Sequence, residues 1–198
     1  LDPTFNGTGI VTAAFGSGNN FANALAIDAS GRIVVGGTSE SGAGSGFAVA
    51  RYNANGTLDT TFNGTGMATA SIGTAGFAGA LALAIDSSGR IVLAGFGFNA
   101  AGNGFALARF NANGTLDTSF NGTGKVSTAF PAGVSFANAI AMDANGRIVV
   151  AGNAWNGSNN DFALARYNTD GTPDASFNGG GKVATAIGVG SDNALSLA

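Results

Sequence analysis

Eleven acidic and eight basic side chains are all the charge this chain carries, and it contains neither histidine nor cysteine. Histidine is the commonest general base and metal ligand, so its absence excludes a histidine-dependent triad. Three constellations remain that could do chemistry. The first pairs an acid with an arginine: Asp28 with Arg32, Asp86 with Arg90 and Asp143 with Arg147, each in a D-x-x-G-R turn, and Arg51, Arg109 and Arg166, each eight residues before Asp59, Asp117 and Asp174. An acid beside an arginine can serve a site, but one that recurs in every copy of a repeat reads as scaffold. The first set of aspartates is expected to cap its turn by accepting backbone N–H bonds. The second set is expected to bridge to arginine and tie a strand to a long turn. The second constellation is the stretch NANGTLD at 53–59 and its copy NTDGTPD at 168–174, which echo the oxygen-ligand spacing of calcium loops. Asn168, Asp170 and Asp174 are the best candidates, but the distal glutamate of such loops is missing. No cofactor is therefore expected, and calcium is the one candidate metal. The third constellation is a column of Glu40, Phe98 and Trp155, flanked by Asn99, Asn156, Asn160 and Asp161. An aromatic ring among amides and a carboxylate can stack on a sugar or anchor a protein contact.

The elements that must position these residues follow from an internal repeat. L-D-x-x-F-N recurs at Leu1, Leu58 and Leu116, and at Pro173 with proline substituted, a period of 57 or 58 residues. Each period contains four short apolar stretches: in the first they lie at 22–27, 32–37, 47–52 and 67–72. The second of these is β-branched, as suits a strand buried on both faces. The first and second are joined by a D-x-x-G loop short enough for an antiparallel hairpin, whereas parallel strands need a crossover of about a dozen residues or more. Repeated four-stranded meanders of this length read as propeller blades. Small residues on the first strand suit the crowded position near the axis.

The fold expected is all-β: a β-propeller-like array of four-stranded antiparallel blades, either an open arc or part of a larger assembly. Residues 1–198 form one repeat domain. Residues 1–21 supply an outer strand, near 9–15, and a connection; 22–78, 79–136 and 137–192 are three complete blades; 193–198 is an inner strand of a following blade. Recurring phenylalanines at 5, 62, 120 and 177, at 21, 77 and 136, and at 47, 105 and 162 are expected in the core. In such a meander the loops between second and third strands, 38–46, 96–104 and 153–161, share a face with the blade-to-blade connections. Those loops differ between copies, while the turns on the opposite face are nearly uniform. A local function is therefore expected on the variable face.

Only 10% of the residues are charged, against roughly 25% in typical soluble domains, so Asn, Ser, Thr and Gly must cover the surface. The 34 glycines and many Asn-Gly steps match a chain of tight turns, and the sequons at Asn6, Asn55, Asn63, Asn113, Asn121 and Asn156 are read as such turns. A net charge of −3 with two lysines offers no basic patch for nucleic acid, and no apolar run is long enough to span a bilayer. A start at Leu1, inside a repeat, is expected of a processed product or a segment of something longer.

The words FALARYNTDGTPDASFNGGGKV (162–183) and AIAMDANGRIVVAG (139–152) resemble the bacterial delta-60 repeat family over the whole chain. One departure is that F-N-G-T-G stands at Phe5, Phe62 and Phe120, where the family more often shows a glycine after the phenylalanine. The resemblance implies a propeller-like array in a secreted or surface protein of bacteria, and it supplies no activity for any residue. The function expected is non-catalytic and structural, assembling with further repeats or copies of itself, possible filaments included. The alternative is a module binding a glycan or a surface protein through the variable face. Because nearly all acids are repeat columns, an enzyme is not expected.

Overall fold

The computed structural model describes residues 1–42, 44–73, 76–99, 102–131 and 133–197. The described residues form twelve strands and no helix. Blade 1 holds β1 (Asn20–Ile27), β2 (Ile33–Ser41), β3 (Gly44–Tyr52) and β4 (Met67–Ala70); blade 2 holds β5 (Ala78–Ile85), β6 (Ile91–Asn99), β7 (Gly102–Phe110) and β8 (Lys125–Thr128). Blade 3 holds β9 (Ser135–Met142), β10 (Ile148–Trp155), β11 (Asn160–Tyr167) and β12 (Lys182–Thr185). Each blade is an antiparallel meander in chain order, and the three sheets do not close on one another.

Alternation on a pleated strand sends successive side chains to opposite faces, and in blade 2, which has a neighbour on each side, both faces are buried. On β6, Ile91 and Leu93 join the core between blades 1 and 2, while Val92 and Ala94 join the core between blades 2 and 3. Phe47, Phe62 and Ile72 meet Phe110 in the first core, and Phe105, Phe120 and Phe130 meet Tyr167 in the second. The inner strands are built from small residues where crowding is greatest: Ala80, Ala82, Ala137 and Ala139 are buried. Each inner strand bulges once, at Ala22/Ala24, Ala80/Ala82 and Ala137/Ala139 in register terms.

Three expectations are corrected. The outer strand expected at 9–15 and the inner strand expected at 193–198 form no ladder in the described residues, because neither has a neighbouring strand to bond. Residues 193–197 nonetheless follow the path of an inner strand: Ala194 N–H donates to the Gly152 carbonyl (3.2 Å), and Asn138 Nδ2 donates to the Ala194 carbonyl (3.1 Å). Secondly, the variable loops are largely strand. The β2–β3 ladder runs out to Ser41↔Gly44 and the β6–β7 ladder to Asn99↔Gly102, since glycine and serine pair through their backbones without a steric objection. Thirdly, the column Phe21, Phe77 and Phe136 is not core. Phe21 and Phe77 are about half exposed, because they sit at the start of the inner strand, on the side that no closed ring covers.

Candidate functional site

On the uniform face every blade builds the same charged fork. In blade 1, Asp28 Oδ1 accepts the N–H groups of Ser30 (2.8 Å) and Arg32 (3.0 Å), while its Oδ2 takes Arg32 Nε at 2.7 Å. Gly31, at φ +75°, makes the reversal possible. Arg51 Nε donates to Asp59 Oδ2 at 2.8 Å, and Arg32 Nη1 approaches the same oxygen at 3.5 Å. Asp59 Oδ1 accepts from the Thr61 hydroxyl at 2.6 Å. Blade 2 repeats this with Arg109–Asp117 (2.7 Å) and Arg90–Asp86 (2.6 Å), and blade 3 with Arg166–Asp174 (2.7 Å) and Arg147–Asp143 (2.6 Å). Burial pushes the carboxyl groups of Asp59 and Asp117 up, but the Thr61 and Ser119 hydrogen bonds and the arginine beside each outweigh it and hold both below the usual carboxylate value. The capping and bridging roles expected of these acids are therefore present.

The same arginines also join one blade to the next, which the sequence did not reveal. Arg51 Nη1 donates to the carbonyl of Ala112 in blade 2 at 2.6 Å, and Arg109 Nη1 donates to the carbonyl of Thr169 in blade 3. Each guanidinium lies over a phenylalanine of its own blade, Arg51 over Phe62 (4.7 Å) and Arg109 over Phe120 (4.4 Å). The ring in turn rests on a turn glycine of the next blade: a Cβ at Gly114 would meet Phe62 at 2.9 Å, and one at Gly171 would meet Phe120 at 2.7 Å. Beside the ring, the N–H of Asn63 donates to the Asn113 carbonyl (2.7 Å) and that of Asn121 to the Asp170 carbonyl (2.6 Å). Both asparagines have positive φ, 52° and 51°. Ring, guanidinium and amide thus form one seat per blade junction. The acceptors are backbone carbonyls on Ala112 and Thr169, so the side chains at those positions carry no signal of the contact.

On the variable face the expected site residues do not converge. Glu40 is half-buried in β2, its backbone N–H bonded to Asn19 and its Oε2 accepting from Asn19 Nδ2 at 2.9 Å. Phe98 lies edge-on to Phe77 (5.6 Å between centroids), and Phe77, Phe96 and Phe136 continue that aromatic contact. Asn99 ends β6 opposite Gly102, and its side chain lies outside the described residues. Trp155 pairs with Asn160 at the end of the β10–β11 ladder and is 37% exposed. It stands at a cleft of about 180 Å³ lined also by Phe130, Pro131, Asn156 and Asp161. The Asn156 side chain is used inside its own turn, where Nδ2 donates to Asn159 and Asp161 and Oδ1 accepts from Ser158 and Asn159. Asp161 is buried.

The calcium candidates are likewise bound into their turn. Asn168 Nδ2 donates to the Thr172 hydroxyl (3.0 Å), Asp170 Oδ1 accepts from Thr172 (2.6 Å), and Asp174 takes Arg166 on one oxygen and Ser176 on the other. Among the described residues no group of three or more acidic side chains could hold a metal ion. All eight cations are engaged: the six arginines lie in the forks, Lys125 Nζ donates to the Ser71 carbonyl (3.1 Å) and Lys182 Nζ to the Ala129 carbonyl (2.5 Å). No described helix is long and apolar enough to cross a membrane.

A family described as a domain of unknown function (DUF5122) beta-propeller matches residues 29–62, 87–120 and 144–177, once per blade. Each match runs from the turn just after the capping aspartate to the phenylalanine under the arginine, so the family's pattern covers the Arg51–Asp59 bridge, its copies and the ring, and leaves out Asp28, Asp86 and Asp143 together with the inner and outer strands. The match agrees with a propeller-like repeat family as expected, without carrying the delta-60 name. No curated protein matches the chain.

Proposed function

We propose, for a chain that belongs to the DUF5122 β-propeller family, a non-catalytic structural role exercised through the blade junctions. The module stacks on further repeats or on copies of itself, at the bacterial surface or in the extracellular space, and repeated stacking extends into filaments. The observation that carries this reading is the seat at each junction. It is built twice inside the chain, and Arg166 repeats its first half, lying 4.9 Å over the Phe177 ring. The surface setting rests on the delta-60 resemblance. A non-catalytic reading is supported by the aspartates at 28, 59, 86, 117, 143 and 174, which are all held in arginine forks. Sedimentation velocity on the chain over a hundredfold range of concentration tests the role: average mass should rise with concentration, and one monomeric species throughout would contradict it.

A second reading, binding of a glycan or a protein through the variable face, is favoured by Trp155 at its cleft. Binding on a glycan array that Trp155→Ala abolishes would support it, and an array without signal would count against a glycan.

A further inference from the structure

The junction seats do not match in number with the rings that fill them. Phe5, Phe62, Phe120 and Phe177 are four rings, and Gly56, Gly114 and Gly171 are three glycine sockets. Phe62 and Phe120 fill the sockets of blades 2 and 3 and are fully buried, while Phe177 is only partly covered. The socket of blade 1 is filled by Phe5, whose ring a Cβ at Gly56 would meet at 3.0 Å, and the Asn6 N–H donates to the Asn55 carbonyl at 2.7 Å. Residues 2–10 thus copy, at blade 1, the turn that blades 1 and 2 present to their successors.

The copy is incomplete. The Ala54 carbonyl, which corresponds to Ala112 and Thr169, has no arginine from residues 2–10, because that stretch contains none. Behind it, residues 11–15 lie over the face of blade 1 without filling it. A cleft of about 540 Å³ remains, lined by Val11, Phe15, Val35, Ala48, Ala50 and Tyr52. At the other end, blade 3 presents the full counterpart. Val149, Phe162, Leu164, Phe177 and Val183 are half-buried, whereas the residues in the same phase of blade 1, Val34, Phe47, Val49, Phe62 and Ala68, are buried against blade 2. Arg166 is correspondingly more open than its copies, its side chain 21% exposed against 3% for Arg51 and Arg109.

The geometry points to head-to-tail docking of a second copy of this chain, in which Phe177, Arg166 and Asn178 of one copy take the Gly56 seat of the next and displace that copy's own Phe5 and Asn6, while the incoming β1 takes the place that residues 193–197 of the first copy hold against Gly152 and Asn138. This inference rests on the structural reading above and adds its partner, its contact and its control. The occupant is a second copy because the chain itself twice shows the two surfaces joined, at the junctions of blades 1 with 2 and 2 with 3. Arg166 Nη1 then reaches the Ala54 carbonyl, Asn178 N–H the Asn55 carbonyl, and the apolar face of blade 3 fills the cleft. The contact is heterologous, so it builds rings where the rotation closes and open filaments where it does not. Residues 2–10 act as a tethered competitor that sets the concentration at which assembly begins.

Two substitutions of the same residue type should act in opposite directions. In sedimentation velocity, Phe5→Ala weakens the competitor and should lower the apparent dissociation constant about tenfold, while Phe177→Ala removes the incoming ring and should raise it at least about tenfold, as buried aromatic anchors do. Arg166→Ala should also weaken assembly, and near-ultraviolet circular dichroism checks that each variant keeps its packed core. Opposite shifts support the inference. Equal effects of the two phenylalanine variants, or assembly unchanged by both Phe177→Ala and Arg166→Ala, overturn it. Assembly that survives the loss of Phe177 leaves the structural role standing and removes only this contact. A chain and a Phe5→Ala variant that both stay monomeric contradict both.

Discussion

The two faces of the blades use the same polar residue types for different ends. On the uniform face, Asp, Arg and Thr form a fork within each blade, and the Arg51 and Arg109 guanidinium groups carry it across to the next blade. On the variable face, Asn156, Asn159 and Asp161 bond chiefly within one hairpin. A polar group that spans a junction makes blades interdependent, whereas one satisfied inside its own hairpin can be exchanged at little cost to its neighbours.

Acid should expose that difference most strongly. The carboxyl groups of Asp28, Asp59, Asp117, Asp143 and Asp174 all lie below the ordinary value of 3.8. A carboxyl lowered by folding stabilises the folded state above its unfolded value and loses that contribution as pH falls through the folded value. Stability should therefore be flat from about pH 5 to 8, where no histidine titrates, and should fall steeply below about pH 4 as the forks of the uniform face protonate. At the alkaline end, burial raises Tyr52 and Tyr167 above 10.0, the Thr128 bond only partly offsetting it at Tyr167. Their contribution is complete below pH 10 and is lost above it. Thermal melts across pH check both limits, and a gradual decline from neutrality would break the comparison.

A smaller effect is expected at the sockets. Gly114 has φ +87°, and a Cβ there would lie 2.8 Å from the Asn63 nitrogen. Gly114→Ala should cost about 2 kcal/mol through backbone strain and the displaced ring, read from urea unfolding. The smallest effect belongs to the variable face, where Trp155→Ala should change stability by less than about 1 kcal/mol, in keeping with an exposed position. A loss as large as that at Gly114 would show that the Trp155 hairpin end carries as much of the fold's stability as a junction socket.

Much of the uniform face is legible in the sequence, because the contacts of its forks are local and recur. The Asp-to-Arg spacings of four and eight residues, with their turn glycines, report the forks directly. The junction seat was not legible, since it joins an arginine to carbonyls about sixty residues away, where any side chain will serve. Phe21 and Phe77 misled for a related reason: recurrence in phase shows that a position is equivalent in each blade, and burial of that position depends on whether a neighbour covers it. Glu40, Phe98 and Trp155 share an alignment column, yet each belongs to a separate blade, so a column on a repeat protein marks equivalence and not a common site. The two terminal strands were expected from pattern, but a strand is a relation between neighbours, and 9–15 and 193–197 have none to pair with.

Arg109 and Arg166 offer the most direct test that the uniform face couples blades. Both donate to an aspartate at 2.7 Å and both lie over a phenylalanine, but only Arg109 donates to the carbonyl of a following blade within the chain. Urea unfolding of Arg109→Ala and Arg166→Ala, at a concentration where the chain is monomeric, isolates that junction. Arg109→Ala should be the more destabilising by at least about 1.5 kcal/mol, the worth of a charged hydrogen bond; equal losses would contradict the coupling.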